Sequence, residues 1–305
     1  MTIKKAYFKG IMMNIRDLEY YQQIINLRNF SKVANYFSVS QPTITTSMKR
    51  LEAELETTLI IRDQSHRQVL FTPSGEQFAE HVNIILGELK IANQEIEQLK
   101  NERVRFGLPP IIGTYYFPQI VGNLFKSGLM DHLDTVENGS QVLLHQLING
   151  SLDMALLGSV EPIEDDRLIV RHFSSKNFKI IVSKEHPLAS RKSVKFAELR
   201  NEKFIMQNEG FVHPIAFKEL TTKNHFKPKI IYTTSDSQII KKMVAENIGV
   251  GFLTELALDP SDNLVALPLS EQDQPKFLMS LVYRTSHILT PTQAKLIDVL
   301  IDPSI

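Results

Sequence analysis

The sequence predicts an α+β domain carrying a two-stranded wing, then a long linker helix, then a two-lobed α/β domain. Three observations predict it. Three amphipathic helical segments lie between Leu18 and Leu55, followed by two β-prone runs around a polar loop. A repeat of apolar positions every seven residues runs from Phe78 to Leu99. Beyond Glu102, strand and helix patterns alternate to the end of the chain. At 305 residues there is room for two or three compact units.

Composition narrows the class. An apolar fraction of 43% suits a globular chain with a sizeable core. The absence of cysteine excludes a disulfide framework, a thiolate zinc site and a cysteine nucleophile. No apolar run approaches the roughly 18–20 residues that span a bilayer. Lys4, Lys5 and Lys9 interrupt any export-signal core, so a cytoplasmic chain without membrane contact is expected. Net charge is zero, and composition alone does not favour nucleic acid. Distribution is more telling: basic residues outnumber acidic ones up to Phe71, and the balance reverses from Thr72 to Lys100.

Residues 1–12 fit no element and are expected to form an extension or a loosely held arm. From Leu18, the apolar spacing of Tyr21, Ile24, Ile25 and Leu27 predicts the first helix. Ser31 is expected to cap a short second helix with Val33, Ala34 and Phe37 inward. After the connection Ser38-Val39-Ser40, Ser40 caps a third helix over Gln41–Leu55, with Pro42 in its first turn. Ile44, Met48, Leu51 and Leu55 form its apolar face. The other face carries Thr43, Thr46 and Arg50, with Gln41 and Ser47 nearby. Short polar side chains on such a face suit base edges in a major groove about 12 Å wide. This is the pattern of a helix-turn-helix over residues 30–49; a plain three-helix bundle with a Thr-rich solvent face fits the same periodicity.

The next segment favours the helix-turn-helix. Leu59–Arg62 and Val69–Thr72 read as a β wing around Asp63–Gln68, placing Arg62 and Arg67 where they would meet phosphate or the minor groove. Thr72-Pro73-Ser74-Gly75-Glu76 then opens a long helix. Phe78, Val82, Ile85, Leu89, Ala92, Ile96 and Leu99 follow at spacings 4, 3, 4, 3, 4, 3. That heptad seam predicts self-association, which would place two recognition helices on two half-sites.

Phe30-Ser31-Lys32-Val33-Ala34, Val39–Ile44, Lys49–Leu55, Leu59–Arg62 and Thr72–Gly75 together resemble the signature of LysR-type transcription regulators. The resemblance implies a DNA-binding domain over 13–71, a linker and dimerisation helix over 72–100, and an effector domain over 101–305. Ile61–Gln68 and Gly107–Pro110 further resemble the malolactic-fermentation activators of lactic acid bacteria. Implied with it are an imperfect palindrome of double-stranded DNA and a dimer or tetramer held through 72–100 and the effector domain. L-malate as effector, and RNA polymerase as a further partner, complete the implied set. The DNA-contact set is Ser31, Ser40, Gln41, Pro42, Thr43, Thr46, Ser47, Arg50, Arg62 and Arg67.

In the C-terminal part, Val104–Leu108, Leu133–Val136 and Asp153–Gly158 read as strands, with a helix across Tyr115–Phe125 and another ending at Gly150. A second set covers Lys179–Ser183, Lys203–Met206, Lys229–Tyr232 and Gly249–Leu253. The closing stretch Leu264–Pro268, Met279–Tyr283 and a final helix is expected to rejoin the first sheet. One lobe thus comprises 101–160 and 267–305, the other 161–266. The resemblance implies a fold similar to periplasmic binding proteins, closing on a small ligand. Ligands in such folds sit at carboxyl ends of strands against helix N-termini, where a carboxylate is the natural guest. The expected contacts are Pro110, Gly113, Thr114, Ser140, Phe211, His213 and Ser235. Ser140 and Ser235 read equally well as helix caps.

Other motifs carry no chemistry. Gly249-Val250-Gly251 follows a helix and reads as a helix stop before a strand. The histidines form no metal-ligand pair and no nucleophile constellation appears, so neither enzyme nor cofactor is expected. An enzyme fused to a helix-turn-helix would need such a constellation; a ligand-free architectural protein would need no cleft.

Overall fold

The computed structural model describes residues 13–63, 68–101 and 103–301. The expected arm over residues 1–12 and the wing-tip Arg67 lie outside the described residues. The chain divides into two compact units, Met1–Glu95 and Ile96–Ile305.

In the first unit, α1 (Ile15–Leu27), α2 (Phe30–Tyr36) and α3 (Gln41–Glu54) are followed by β1 (Ile60–Asp63) and β2 (Gln68–Phe71). The two strands pair antiparallel, with Ile60 opposite Phe71. Each helix opens on a side-chain cap: Asn14, Asn29 and Ser40. The second of these corrects the expectation for Ser31. Asn29 accepts from Lys32 N–H at 3.0 Å, so Ser31 lies inside the helix with its hydroxyl released. Tyr21, Ile24, Val33, Ile44 and Leu51 are fully buried between the helices, and Leu59, Ile60 and Val69 close the core from the ribbon.

The long helix α4 runs Pro73–Asn101. Its heptad seam is not uniform. Phe78 and Val82 pack into the core of the first unit, whereas Ile85 and Ile96 are exposed. The front of the repeat is therefore spent on the intramolecular core, and among the described residues Ile85 and Ile96 are left exposed beyond it.

The second unit contains β3 (Val104–Leu108), α5 (Pro110–Tyr115), α6 (Phe117–Lys126), β4 (Leu133–Glu137), α7 (Ser140–Ile148), β5 (Met154–Ser159) and β6 (Leu168–Ser183). Then follow β7 (Lys203–Gln207), α8 (Val212–Lys223), β8 (Lys229–Thr234), α9 (Ser237–Ala245), β9 (Val250–Thr254), β10 (Leu264–Pro268), β11 (Lys276–Arg284) and α10 (Pro291–Ile301). The strand order is β4-β3-β5-β11-β6-β9-β7-β8, with β10 also on β6. Pairs β3/β4, β3/β5, β7/β8 and β7/β9 are parallel, as βα repeats require; β11 and β6 run antiparallel to their neighbours.

Three expectations are corrected here. The single helix expected across Tyr115–Phe125 is two, because Pro118 has no N–H to donate to the preceding turn and restarts the chain as α6. Leu264–Pro268 does not rejoin the first sheet: β10 pairs with Lys179–Ser183 of β6 and belongs to the second lobe. The boundary near 161 also falls short of the crossing, because β6 belongs to both lobes. Its Leu168–Asn177 half pairs with β11, and Phe178–Ile181 pairs with β9.

Candidate nucleic-acid interface and effector cleft

The exposed face of α3 is assembled by its cap. Ser40 Oγ accepts from Thr43 N–H at 3.3 Å and meets Thr43 Oγ1 at 2.8 Å, aligning both hydroxyls at the first turn. Ser31 donates to Gln41 Oε1 at 3.1 Å, linking α2 to the same turn. Ser31, Ser40, Gln41, Pro42, Thr43, Thr46 and Arg50 are exposed. Ser40, Pro42, Thr43, Thr46, Ser47 and Arg50 line one concavity of about 470 Å³, together with Asn14, Arg16, Asp17 and Tyr20 of the first helix.

Within this concavity Ser47 is buried and donates to the Asp17 carboxylate, which removes it from any base contact; its role on the open face is corrected. Asp17, itself buried, also accepts from Arg50 Nε at 2.8 Å and from Nη2 of the same guanidinium. That hydrogen bond pushes the Arg50 pKa further up, so the arginine is permanently charged. Asp17 and Arg16 were not singled out by sequence reasoning. Local periodicity places Asp17 only as a first-turn acid, and its partners lie 30 and 33 residues away. Arg16 pairs with Glu19 at 2.9 Å and lies over the Tyr20 and Phe37 rings. Arg62 lies on β1.

In the second unit, strands end against helix N-termini. Helices α5, α7 and α8 open on Pro109, Gly139 and Phe211, none of which supplies a side-chain cap to the first-turn N–H groups. Ser140 is thus the first residue of α7 rather than its cap; it is buried and its Oγ accepts from Gly158 N–H at 3.0 Å, tying α7 to the end of β5. Ser235 is likewise not the cap of α9. Asp236 is, accepting from Gln238 N–H at 2.8 Å, and Ser235 stands exposed before it.

Two of the contacts between the lobes lie near the strand ends. A Cβ built on Gly139 would lie 2.9 Å from Gly210 O, so the loop before α7 approaches the loop before α8 at backbone distance. Gly210 takes a positive φ of 90°, open to glycine at no steric cost. Tyr115, just beyond Pro110–Thr114 on α5, has its hydroxyl 3.1 Å from Ser237 Oγ and accepts from Gln238 Nε2 at 2.9 Å. Gly113 is half-buried over Leu108, and Thr114 is exposed.

A cavity of about 360 Å³ opens beside the glycine contact. Ser140, Gly158 and Ser159 line one side, Val212, Ile215 and Glu219 another, with Leu144, Leu157 and Ile163 supplying apolar wall. Of the expected effector residues only Ser140 lines it. His213 is corrected: it is fully buried, its Nε2 accepts from Thr254 N–H at 3.1 Å, and it packs against Phe178 and Phe277. Burial pushes its pKa down to about 3, so the ring is neutral and serves the core rather than a ligand. Two buried oxygens at strand ends, Ser159 Oγ and Gln207 Oε1, have no hydrogen-bond partner among the described residues. Residue order carries no sign of either, since both follow long apolar runs. No group of residues fit to hold a metal occurs among the described residues, and no helix there is long and apolar enough to cross a membrane.

Comparison with known proteins agrees with this division. Residues 15–76 match the bacterial regulatory helix-turn-helix protein, lysR family, and residues 97–302 match the LysR substrate binding domain. The chain is 35% identical over 289 residues to the malolactic fermentation system transcriptional activator of Lactococcus lactis, covering 94% of this chain and 98% of that one. It is 31% identical over 302 residues to the hydrogen peroxide-inducible genes activator of Dickeya chrysanthemi, covering 94% of each. Among solved structures, the effector binding domain of QuiR in complex with shikimate aligns with a TM-score of 0.57 at 16% identity, over 65% of this chain and 95% of that one. A full-length OxyR variant from Pseudomonas aeruginosa aligns at 0.55 with 23% identity, over 96% and 95%. The chain belongs to the LysR family: a DNA-binding transcription regulator, not an enzyme, that joins a helix-turn-helix to an effector-binding domain.

Proposed function

We propose that the chain reads an imperfect palindrome of double-stranded DNA with the exposed face of α3 and responds to a small carboxylate. The observation that carries the first part is the concavity in which Thr43, Thr46 and Arg50 are gathered along one face of the helix. Ser31, Ser40, Gln41 and Pro42 supply further contacts around that first turn, with Arg62 and Arg67 of the wing on the backbone. Copies of the chain associate as a dimer or tetramer through residues 72–100 and the effector domain, matching the symmetry of a two-half-site operator. The protein works in the cytoplasm and, as an activator, contacts RNA polymerase.

The effector enters between the lobes, where α7 and α8 offer uncapped N–H groups on either side of the Gly139–Gly210 contact. Ser140, with Pro110, Gly113, Thr114, Phe211 and Ser235 around the mouth, frames it. The 35% identity to a malolactic activator over nearly the whole chain favours L-malate and a malolactic operon. An effector biases the assembly only through different affinity for its two arrangements. The test is direct. Arg50→Ala or Thr46→Ala should weaken selective binding to the DNA upstream of its own or a neighbouring operon by about tenfold or more; unchanged binding sinks the assignment of α3. A thermal-shift series of di- and tricarboxylates should show stabilisation by L-malate, and none by any acid removes the effector reading.

A further inference from the structure

We propose that Asp17 is a positioning residue for base reading: it clamps the Nε–Nη2 edge of Arg50 and turns the free Nη1–Nη2 edge toward a guanine. This rests on the reading of α3 as the recognition helix. Asp17 belongs to the first turn of α1, yet only 1% of it is exposed, while the Arg50 side chain remains 49% exposed. Its carboxylate accepts from Ser47 of α3 and twice from Arg50, so both anchors come from one face of the reading helix. Two adjacent bonds fix the plane of a guanidinium, and a side-on grip leaves the end-on pair of donors unoccupied. That pair matches guanine O6 and N7, the commonest specific contact in the major groove. A phosphate contact gives no such reason for the clamp, because a carboxylate beside a phosphate is repulsive. The geometry therefore favours a base over the backbone.

The test uses the full chain. Selection from a randomised duplex library defines the half-site, and binding of the parent protein, R50A and D17N is then measured on every single-base-pair variant of it across a salt series. D17N keeps the shape of the side chain and removes its charge. The expected result is that R50A and D17N flatten preference at the same G·C pair, by about tenfold or more. D17N should meanwhile leave the other positions and non-specific affinity unreduced. A purely structural role for Asp17 would instead lower affinity equally at every position, and that result overturns the proposal. Retention by D17N of a preference that R50A loses also overturns it. Should the parent protein select no sequence, or R50A change nothing, the reading of α3 itself fails and the clamp with it. If D17N does not fold, as judged by circular dichroism, S47A loosens the carboxylate without removing its charge. Partial loss at the same base pair is then expected, and an unaltered profile refutes the clamp.

Discussion

The Tyr21 hydroxyl donates to the Gly75 carbonyl at 2.8 Å, pinning the first turn of α4 to the middle of α1. Gly75 permits this approach. A Cβ there would lie 2.2 Å from Leu59 O, a backbone atom that cannot give way without moving the ribbon. Gly75→Ala should destabilise the DNA-binding unit by about 2–3 kcal/mol. Tyr21→Phe, which removes a buried hydrogen bond from a carbonyl that keeps its intrahelical partner, should cost about 1 kcal/mol. Urea unfolding of the full chain, followed by loss of operator binding, measures both; stability within error of the parent protein would contradict the account.

His213 makes the effector unit sensitive to acid. Its folded pKa of about 3 lies below the ordinary value of 6.5, so the unfolded chain binds the extra proton. The stability this contributes is full above pH 6.5 and is lost as pH falls toward 3. Between pH 6.5 and 5 the loss should be about 2 kcal/mol. Replacing His213 by Gln, which offers an acceptor near Thr254 N–H but does not titrate, should flatten the difference in melting temperature between pH 7 and 5. An equal pH slope in both proteins would show that other groups control it.

Lys241 is buried on α9 and holds Asp262 at 2.9 Å, with the Ala257 carbonyl as a further acceptor at 3.1 Å. Removing one partner of a buried pair leaves a charge without compensation, so Asp262→Asn should cost about 3 kcal/mol. The double change Lys241→Met with Asp262→Asn should recover most of that loss. Denaturant midpoints of the two variants decide it, and equal destabilisation would show the carboxylate has a separate role.

Self-association should depend on the exposed part of α4. Ile85→Asp with Ile96→Asp places charge on the apolar positions that the first unit's core leaves uncovered. Sedimentation velocity should then report a smaller assembly with unaltered helical content, and Val82→Asp, within the core, should unfold the domain instead.

Much of this was legible in residue order where the deciding forces are local. Ser40, Pro42 and the apolar spacing of Ile44, Met48 and Leu51 define α3 to within a residue of its end. Ser47 misled for the same reason: its polar neighbours suggest an open face, and only the distant Asp17 draws it inward. His213 looked like a donor because its neighbours Gly210 and Phe211 read as a loop, whereas the phenylalanines that enclose it come from β6 and β11. The first half of β6 escaped notice because His172, Ser174, Ser175 and Lys176 give it no apolar alternation; pairing with β11 makes it a strand. Contacts across such separations are what periodicity cannot report.

The sixteen residues of β6 also limit how this regulator can be re-engineered. One strand supplies a ladder to both lobes and changes partner between Asn177 and Phe178. A chimera that exchanged one lobe for that of a relative would have to splice within this strand or graft all of it, carrying foreign side chains into the neighbouring sheet. Recombination at the junction between the two compact units, inside the continuous turns of α4, leaves every ladder whole. Sensor modules in this architecture are therefore exchangeable as complete pairs of lobes rather than as halves.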